Sequence, residues 1–147
     1  MPLTRVSALV HDRGGSGLRA VFAYGFPWWG KWEERQPSWF VRAATEQSMP
    51  AVVSFTVETD GRLPSGMSLV DAIEMVDAET DAAAAYFMIN CAHPDHIAPA
   101  LSDAAEAGGW WARIGALRAN ASRQSHSELD VATTIDDGDP DELAAEY

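Results

Sequence analysis

The 147 residues hold one cysteine, Cys91, in the stretch YFMINCAHP that runs from Tyr86 to Pro94. An apolar run ends at Asn90-Cys91 and a helix is expected from Pro94, so the thiol stands where a strand stops. Three chemistries suit that placement. A nucleophilic thiolate would need a base, and His93 lies two residues on; no third residue in the pattern orients that imidazole, so this reading ranks last. Cys91, His93 and His96 form C-x-H-x-x-H, which offers zinc three ligands, but His96 falls on the helix and no fourth ligand is nearby in sequence. Cys91 could also be one thiolate of a metal site whose other ligands come from distant strands. Against all three stands the commonest fate of a free cysteine, which is inert packing. His93 serves equally well as a cap on the helix that follows.

The elements around the thiol read as alternating strands and helices. AVVSFTVE, Ala51 to Glu58, is β-branched and aromatic and predicts a buried strand. TDGRLPSG predicts a loop, with Asp-Gly and Pro as turn residues. Ser68 predicts a helix N-cap with Asp71 three residues on, and Leu69, Ile73 and Val76 recur at helical spacing. AAAYFMIN, ending at Asn90, predicts a second strand that is apolar on both faces. A helix is expected from Pro94 to Ala107, kinked or split at Pro99 and ended by Gly108-Gly109. A third strand is expected near Ile114 to Ala119, a short helix at Ser127 to Thr133 with Ser127 as its cap, and another from Asp139-Pro140. Upstream, FVRAATEQSM suits the end of a helix stopped at Pro50. Residues 1–40 show no sustained period and predict irregular structure with one short strand at Leu18 to Tyr24.

The order from Ala51 is β-α-β-α-β-α, which predicts parallel strands with helical crossovers. In such folds ligands gather at the C-terminal ends of the strands. Cys91 lies at one such end. Glu58 and Thr59 lie at the end before it, and Asn120 and Ser122 at the end after it.

Composition narrows the function classes. The hydrophobic fraction is 47% and the charged fraction 22%, ordinary for a globular domain. The net charge of −12 disfavours a nucleic-acid or anionic-membrane surface. No apolar stretch nears the roughly 20 residues of a membrane helix, and the N-terminus lacks a signal peptide, so a cytoplasmic location is expected. One cysteine excludes an internal disulfide and suits a reducing compartment. The charge is uneven: residues 1–42 carry six Lys/Arg against three acids, and the remainder four Arg against nineteen acids. Trp28, Trp29, Trp32 and Trp39 cluster in the basic part. They read as cover for exposed strand edges, with a partner contact as the alternative. The break predicts two segments, 1–41, basic, Trp-rich and foreign to the fold, and 42–147. Asp136, Asp137 and Asp139 lack the spacing of a calcium loop. The C-terminal acids read as a solvated face, and Arg118 and Arg123 as surface ion-pair residues.

Four features resemble the homocysteine S-methyltransferase family from about Arg42 to Tyr147. They are the Ser-Phe-Thr strand, the D-G-x-L-x-x-G turn, the Asn-Cys that ends a strand and the Arg-Ala-Asn-Ala-Ser stretch, in that order. The resemblance implies an α/β fold, a partial (β/α)8 TIM barrel of about three central-to-late β/α units behind an irregular N-terminal segment. It implies methyl transfer from S-adenosylmethionine or S-methylmethionine to homocysteine, giving methionine. It implies zinc, held by three cysteine thiolates and activating the substrate sulfur as thiolate. Cys91 would be the first zinc ligand, Asn90 would shape the substrate site, Asn120 would line it, and Glu58 to Gly61 would form a rim loop. No catalytic side chain is assigned. This chain departs from the family pattern in lacking the Gly-Gly-Cys-Cys-Gly motif that carries the other two zinc cysteines. A truncated or frame-shifted reading frame is therefore expected, inactive as an isolated chain. The alternative expectation is a non-catalytic half-barrel that binds a partner or self-associates through exposed strand edges.

Overall fold

In the computed structural model, residues 21–24, 36–102 and 109–146 are described. Among the described residues four parallel strands form one sheet in the order β1-β2-β3-β4. They are β1 Val21–Tyr24, β2 Ala51–Phe55, β3 Ala84–Ala92 and β4 Ile114–Ala119. Among the described residues five α-helices accompany them: α1 Gln36–Glu46, α2 Leu69–Thr80, α3 Pro94–Ser102, α4 His126–Val131 and α5 Pro140–Glu146. Each strand lies beside its sequence neighbour, and the pairings β1–β2, β2–β3 and β3–β4 are all parallel. A doubly wound sheet would reverse its order at a switch point. No reversal occurs here, and the arrangement is that of part of a (β/α) barrel.

The core lies between the sheet and α1 and α2. Val53, Phe55, Phe87 and Ile89 meet Val41 and Ala44 from α1 and Leu69, Ala72, Ile73 and Val76 from α2. The rings of Phe55 and Phe87 stack with centroids 5.8 Å apart. Fully burying a side chain of this size stabilises the fold by roughly 1.5–3 kcal/mol. The helical spacing of Leu69, Ile73 and Val76 is thus the spacing of buried residues. Ser68 caps α2 as expected, its side chain accepting from the Asp71 amide at 3.1 Å. At the other end of α2, Arg42 Nε donates to the Glu79 carbonyl at 2.9 Å, a cation on the last turn. Arg113 grips Asp77 with Nε and Nη2 at 2.8 and 2.9 Å, reaches the Ala84 carbonyl at 2.8 Å, and lies over the Phe87 ring.

Several bounds differ from the sequence expectation. The strand read to Glu58 ends at Phe55, because the chain turns at Glu58–Gly61 to bring Gly61 against α3. A Cβ on Gly61 would stand 2.8 Å from the Ala100 nitrogen, and its φ of 76° suits glycine. α3 runs unbroken through Pro99 as far as Ser102. Pro99 removes one hydrogen bond without splitting the helix, and its Cβ lies on the Gly61 side. The rest of the helix expected to Ala107 falls outside the described residues. α1 begins at Gln36, inside the stretch expected to be irregular, and runs across residue 42, where the charge changes. β1 lies within the short strand expected at Leu18 to Tyr24. Trp28, Trp29 and Trp32 fall outside the described residues, and Trp39 on α1 is exposed. No helix among the described residues is long and apolar enough to cross a membrane.

Candidate functional site

Ser54, Asn90 and Cys91 meet where β2 and β3 end. Ser54 interrupts an otherwise apolar strand and is 1% exposed; Asn90 is 4% exposed. Buried polar groups of this kind need partners, and these two partner each other. Ser54 Oγ donates to Asn90 Oδ1, and Thr56 Oγ1 reaches the same oxygen at 3.4 Å. That fixes the amide, so Nδ2 points to Cys91 and donates to Sγ at 3.2 Å. Asn90 thus translates a polar position on one strand into a fixed orientation for the thiol on the next residue.

Cys91 is a bulge residue. Asn90 pairs with Arg118 and Ala92 with Ala119, so Cys91 is the extra residue between them. Its φ is 55°, in the left-handed region, which costs a side chain with a Cβ roughly 1–2 kcal/mol. Bulges re-aim side chains at the ends of strands. Here the bulge leaves Cys91 half-buried and turns its carbonyl toward α4, where His126 Nε2 donates to it at 3.0 Å. The carbonyl can only accept, so Nε2 carries the proton. The other ring nitrogen, Nδ1, is buried without a hydrogen bond and faces Glu58 Oε1 at 3.3 Å. His126 therefore spans the rim from the β2 loop to the end of β3.

The remaining rim residues divide by what they touch. Asn120 continues the ladder, its amide donating to the Ala92 carbonyl at 3.0 Å, while Oδ1 accepts from the Ser122 amide at 3.3 Å. No hydrogen bond among the described residues joins Asn120 to Asn90 or Cys91. Ser122 donates to Asp136 at 2.7 Å, and this bond, with the Gly138 amide, holds the Asp136 carboxyl below its ordinary range. His93 is 2% exposed and serves α3: its Nδ1 accepts from the Asp95 amide at 3.1 Å and its carbonyl accepts from His96 and Ile97. This is the capping role, and it takes the ring nitrogen that a thiol base would need. His96 Nε2 donates to the Arg123 carbonyl at 3.1 Å. The C-x-H-x-x-H residues are thus engaged separately.

The donor set can be tested against zinc. His93, Asp95 and Glu146 bring ligand atoms within 4.8 Å of one another, and Cys91 is not among them. A cation already sits in that cluster. Arg123 donates to Asp95 at 2.8 Å, to Glu142 at 3.1 Å and to Glu146. The Arg123 hydrogen bond holds the Asp95 carboxyl below its ordinary range, and the carboxylates raise the guanidinium pKa. Among the described residues around Cys91 there is one sulfur, and the only imidazole nitrogen there without a hydrogen bond, His126 Nδ1, faces the Glu58 carboxylate at 3.3 Å. A zinc site needs three or four protein ligands. The described residues do not bring three such ligands together with Cys91.

Sequence reasoning placed Cys91, Asn90 and Glu58 on a common rim, and the structure brings them together. It gave no site role to His126, which the structure places as the first residue of α4, nor to Ser54, which lies within the expected strand. A serine inside a β-branched run was the available signal for Ser54. For His126 no local signal existed, since its partners lie 35 and 68 residues away.

A family described as homocysteine S-methyltransferase matches residues 35–146. No curated protein and no solved structure matches the chain.

Proposed function

The chain belongs to the homocysteine S-methyltransferase family, and from that premise we propose that its rim is a homocysteine-site remnant built around Cys91. The reaction class is transfer of a methyl group from a sulfonium donor, S-adenosylmethionine or S-methylmethionine, to the sulfur of homocysteine, giving methionine. The observation that carries the reading is the Cys91 bulge. A thiol held in a left-handed turn at the C-terminal end of a parallel strand, oriented by a buried amide, is a placement that packing alone does not require. In this reading Cys91 is a metal-ligand position, Asn90 shapes the pocket beside it, and Asn120 lines the rim next to the substrate. The Glu58–Gly61 loop bounds it.

The chain has one cysteine in 147 residues, and no step through zinc follows from a single thiolate. We therefore read the isolated chain as scaffold without the metal chemistry, inactive in methyl transfer. Zinc stoichiometry on reduced, purified protein tests this, with Cys91→Ser as control. The expected result is no zinc above the control and no methionine formed from homocysteine and either donor. About one zinc per chain, lost in Cys91→Ser, would overturn the inactive reading.

A non-catalytic role as a half-barrel that pairs with a partner or a second copy draws support from β4. Leu117 there is 41% exposed on a strand that ends the sheet order. Under that role the zinc measurement gives the same negative result for the chain alone.

A further inference from the structure

We propose that His126 is a positioning residue that sets the orientation of the Cys91 thiol. The inference rests on Cys91 being the thiol of the site. The bulge takes the Cys91 carbonyl out of the regular β3–β4 ladder, so that group needs a partner from elsewhere. His126 Nε2 is that partner at 3.0 Å. The left-handed backbone at Cys91 opposes the bulge, and a donor on its carbonyl opposes relaxation of the turn. The direction of Sγ follows, because the same turn brings it to Asn90 Nδ2.

The backbone that carries the imidazole is held by the helix cap. Ser125 caps α4 with a complete capping box: its side chain accepts from the Glu128 amide, and the Glu128 carboxylate accepts from the Ser125 amide at 2.8 Å. His126 is the first residue of that helix, so its backbone is held by the cap. On the ring's other edge stands Glu58, which belongs to the turn closed by the Gly61 amide on the Glu58 carbonyl at 2.9 Å. His126 thus stands between the β2 loop and the β3 bulge.

The test compares two amides that place their nitrogen differently. His126→Gln puts its side-chain N–H near the position of Nε2, and His126→Asn puts it near Nδ1. The readout is the rate of Cys91 alkylation by iodoacetamide at fixed pH, with far-UV circular dichroism confirming that both variants fold. His126→Gln is expected to keep the wild-type rate. His126→Asn is expected to slow it about fivefold, the size of one lost hydrogen bond, as Sγ leaves the Asn90 donor. Equal rates in the two variants, or a wild-type rate in His126→Asn, would overturn the proposal. So would loss of fold in both, which would make the residue structural. Alkylation needs neither homocysteine nor metal, so the outcome is separate from that of the zinc and methyl-transfer measurements.

Discussion

The pair Ser54 and Asn90 shows how one polar contact can be worth more than its own energy. Both side chains are buried, and Asn90 Oδ1 takes the Ser54 hydroxyl while its Nδ2 serves Cys91. Removing the amide leaves the serine hydroxyl without its acceptor in a dry place, which costs about 1–3 kcal/mol. Asn90→Ala is therefore expected to lower the unfolding free energy from urea titration by that amount. Ser54→Ala alone leaves Asn90 the Thr56 hydroxyl at 3.4 Å and should cost less. In the double variant the two losses should fall short of their sum by about 0.5–3 kcal/mol, the range for directly contacting residues. Strict additivity would show that the two side chains do not act as a unit. The same arithmetic explains why a serine belongs in AVVSF: its side chain faces the amide rather than the core cluster of Val53 and Phe55.

At the scale of elements, close packing between neighbouring strands is testable at Gly115. A Cβ there would stand 2.8 Å from the Tyr86 ring, closer than side chains approach. Tyr86 is half-buried on β3, so its ring has limited room to yield. Gly115→Ala is expected to destabilise the β3–β4 pair by about 1–3 kcal/mol, the usual cost of overpacking. Tyr86→Ala in the same chain should remove most of that penalty, and thermal melts of the four variants measure both. The elements legible in the sequence were those with a strong local signal: the β-branched run of β2, the apolar run of β3, the Leu69–Ile73–Val76 stripe of α2, and the start of α5 at Asp139-Pro140. What was not legible had non-local causes. The first turns of α1 carry no period strong enough to announce a helix. The bulge at Cys91 comes from pairing with β4, and no local pattern specifies it. α3 continues through Pro99 with Gly61 packed beside it, a contact across 38 residues that no local pattern shows. Ser125 rather than Ser127 caps α4, and both serines preceded an equally plausible helix; the Glu128 carboxylate that completes the capping box decides between them.

For the whole molecule, the acidic balance has to be managed where carboxylates crowd, and Arg123 does this near the C-terminus. α5 has no fully buried residue, and Leu143 alone among its described residues is half-buried, so hydrophobic burial contributes little to its attachment to the rest of the fold. Its described links are polar. Arg123, on the β4–α4 connection, joins Glu142 and Glu146 of α5 to Asp95 at the start of α3, and Glu146 also lies 3.5 Å from His93. The clasp is half-exposed, so salt should screen it. Its pH dependence follows from Asp95, whose carboxyl is held low chiefly by the Arg123 hydrogen bond. A group with a depressed folded-state pKa contributes stability that is present above its unfolded value and lost as pH falls through the folded one. Asp136, held low by Ser122, acts in the same direction on the neighbouring segment. α5 is therefore expected to stay docked at neutral pH and to loosen below about pH 4, the unperturbed carboxylate range. The amide of Leu143, which donates to the Asp139 carbonyl within the first turn of α5, reports it by nuclear magnetic resonance. Arg123→Ala should give at pH 7 the Leu143 chemical shift that the wild type reaches only in acid. High salt at pH 7 should move the wild type part of the way. If Leu143 in Arg123→Ala keeps the neutral wild-type shift, α5 is held by something other than the guanidinium, and the crowding of carboxylates around it is incidental to docking.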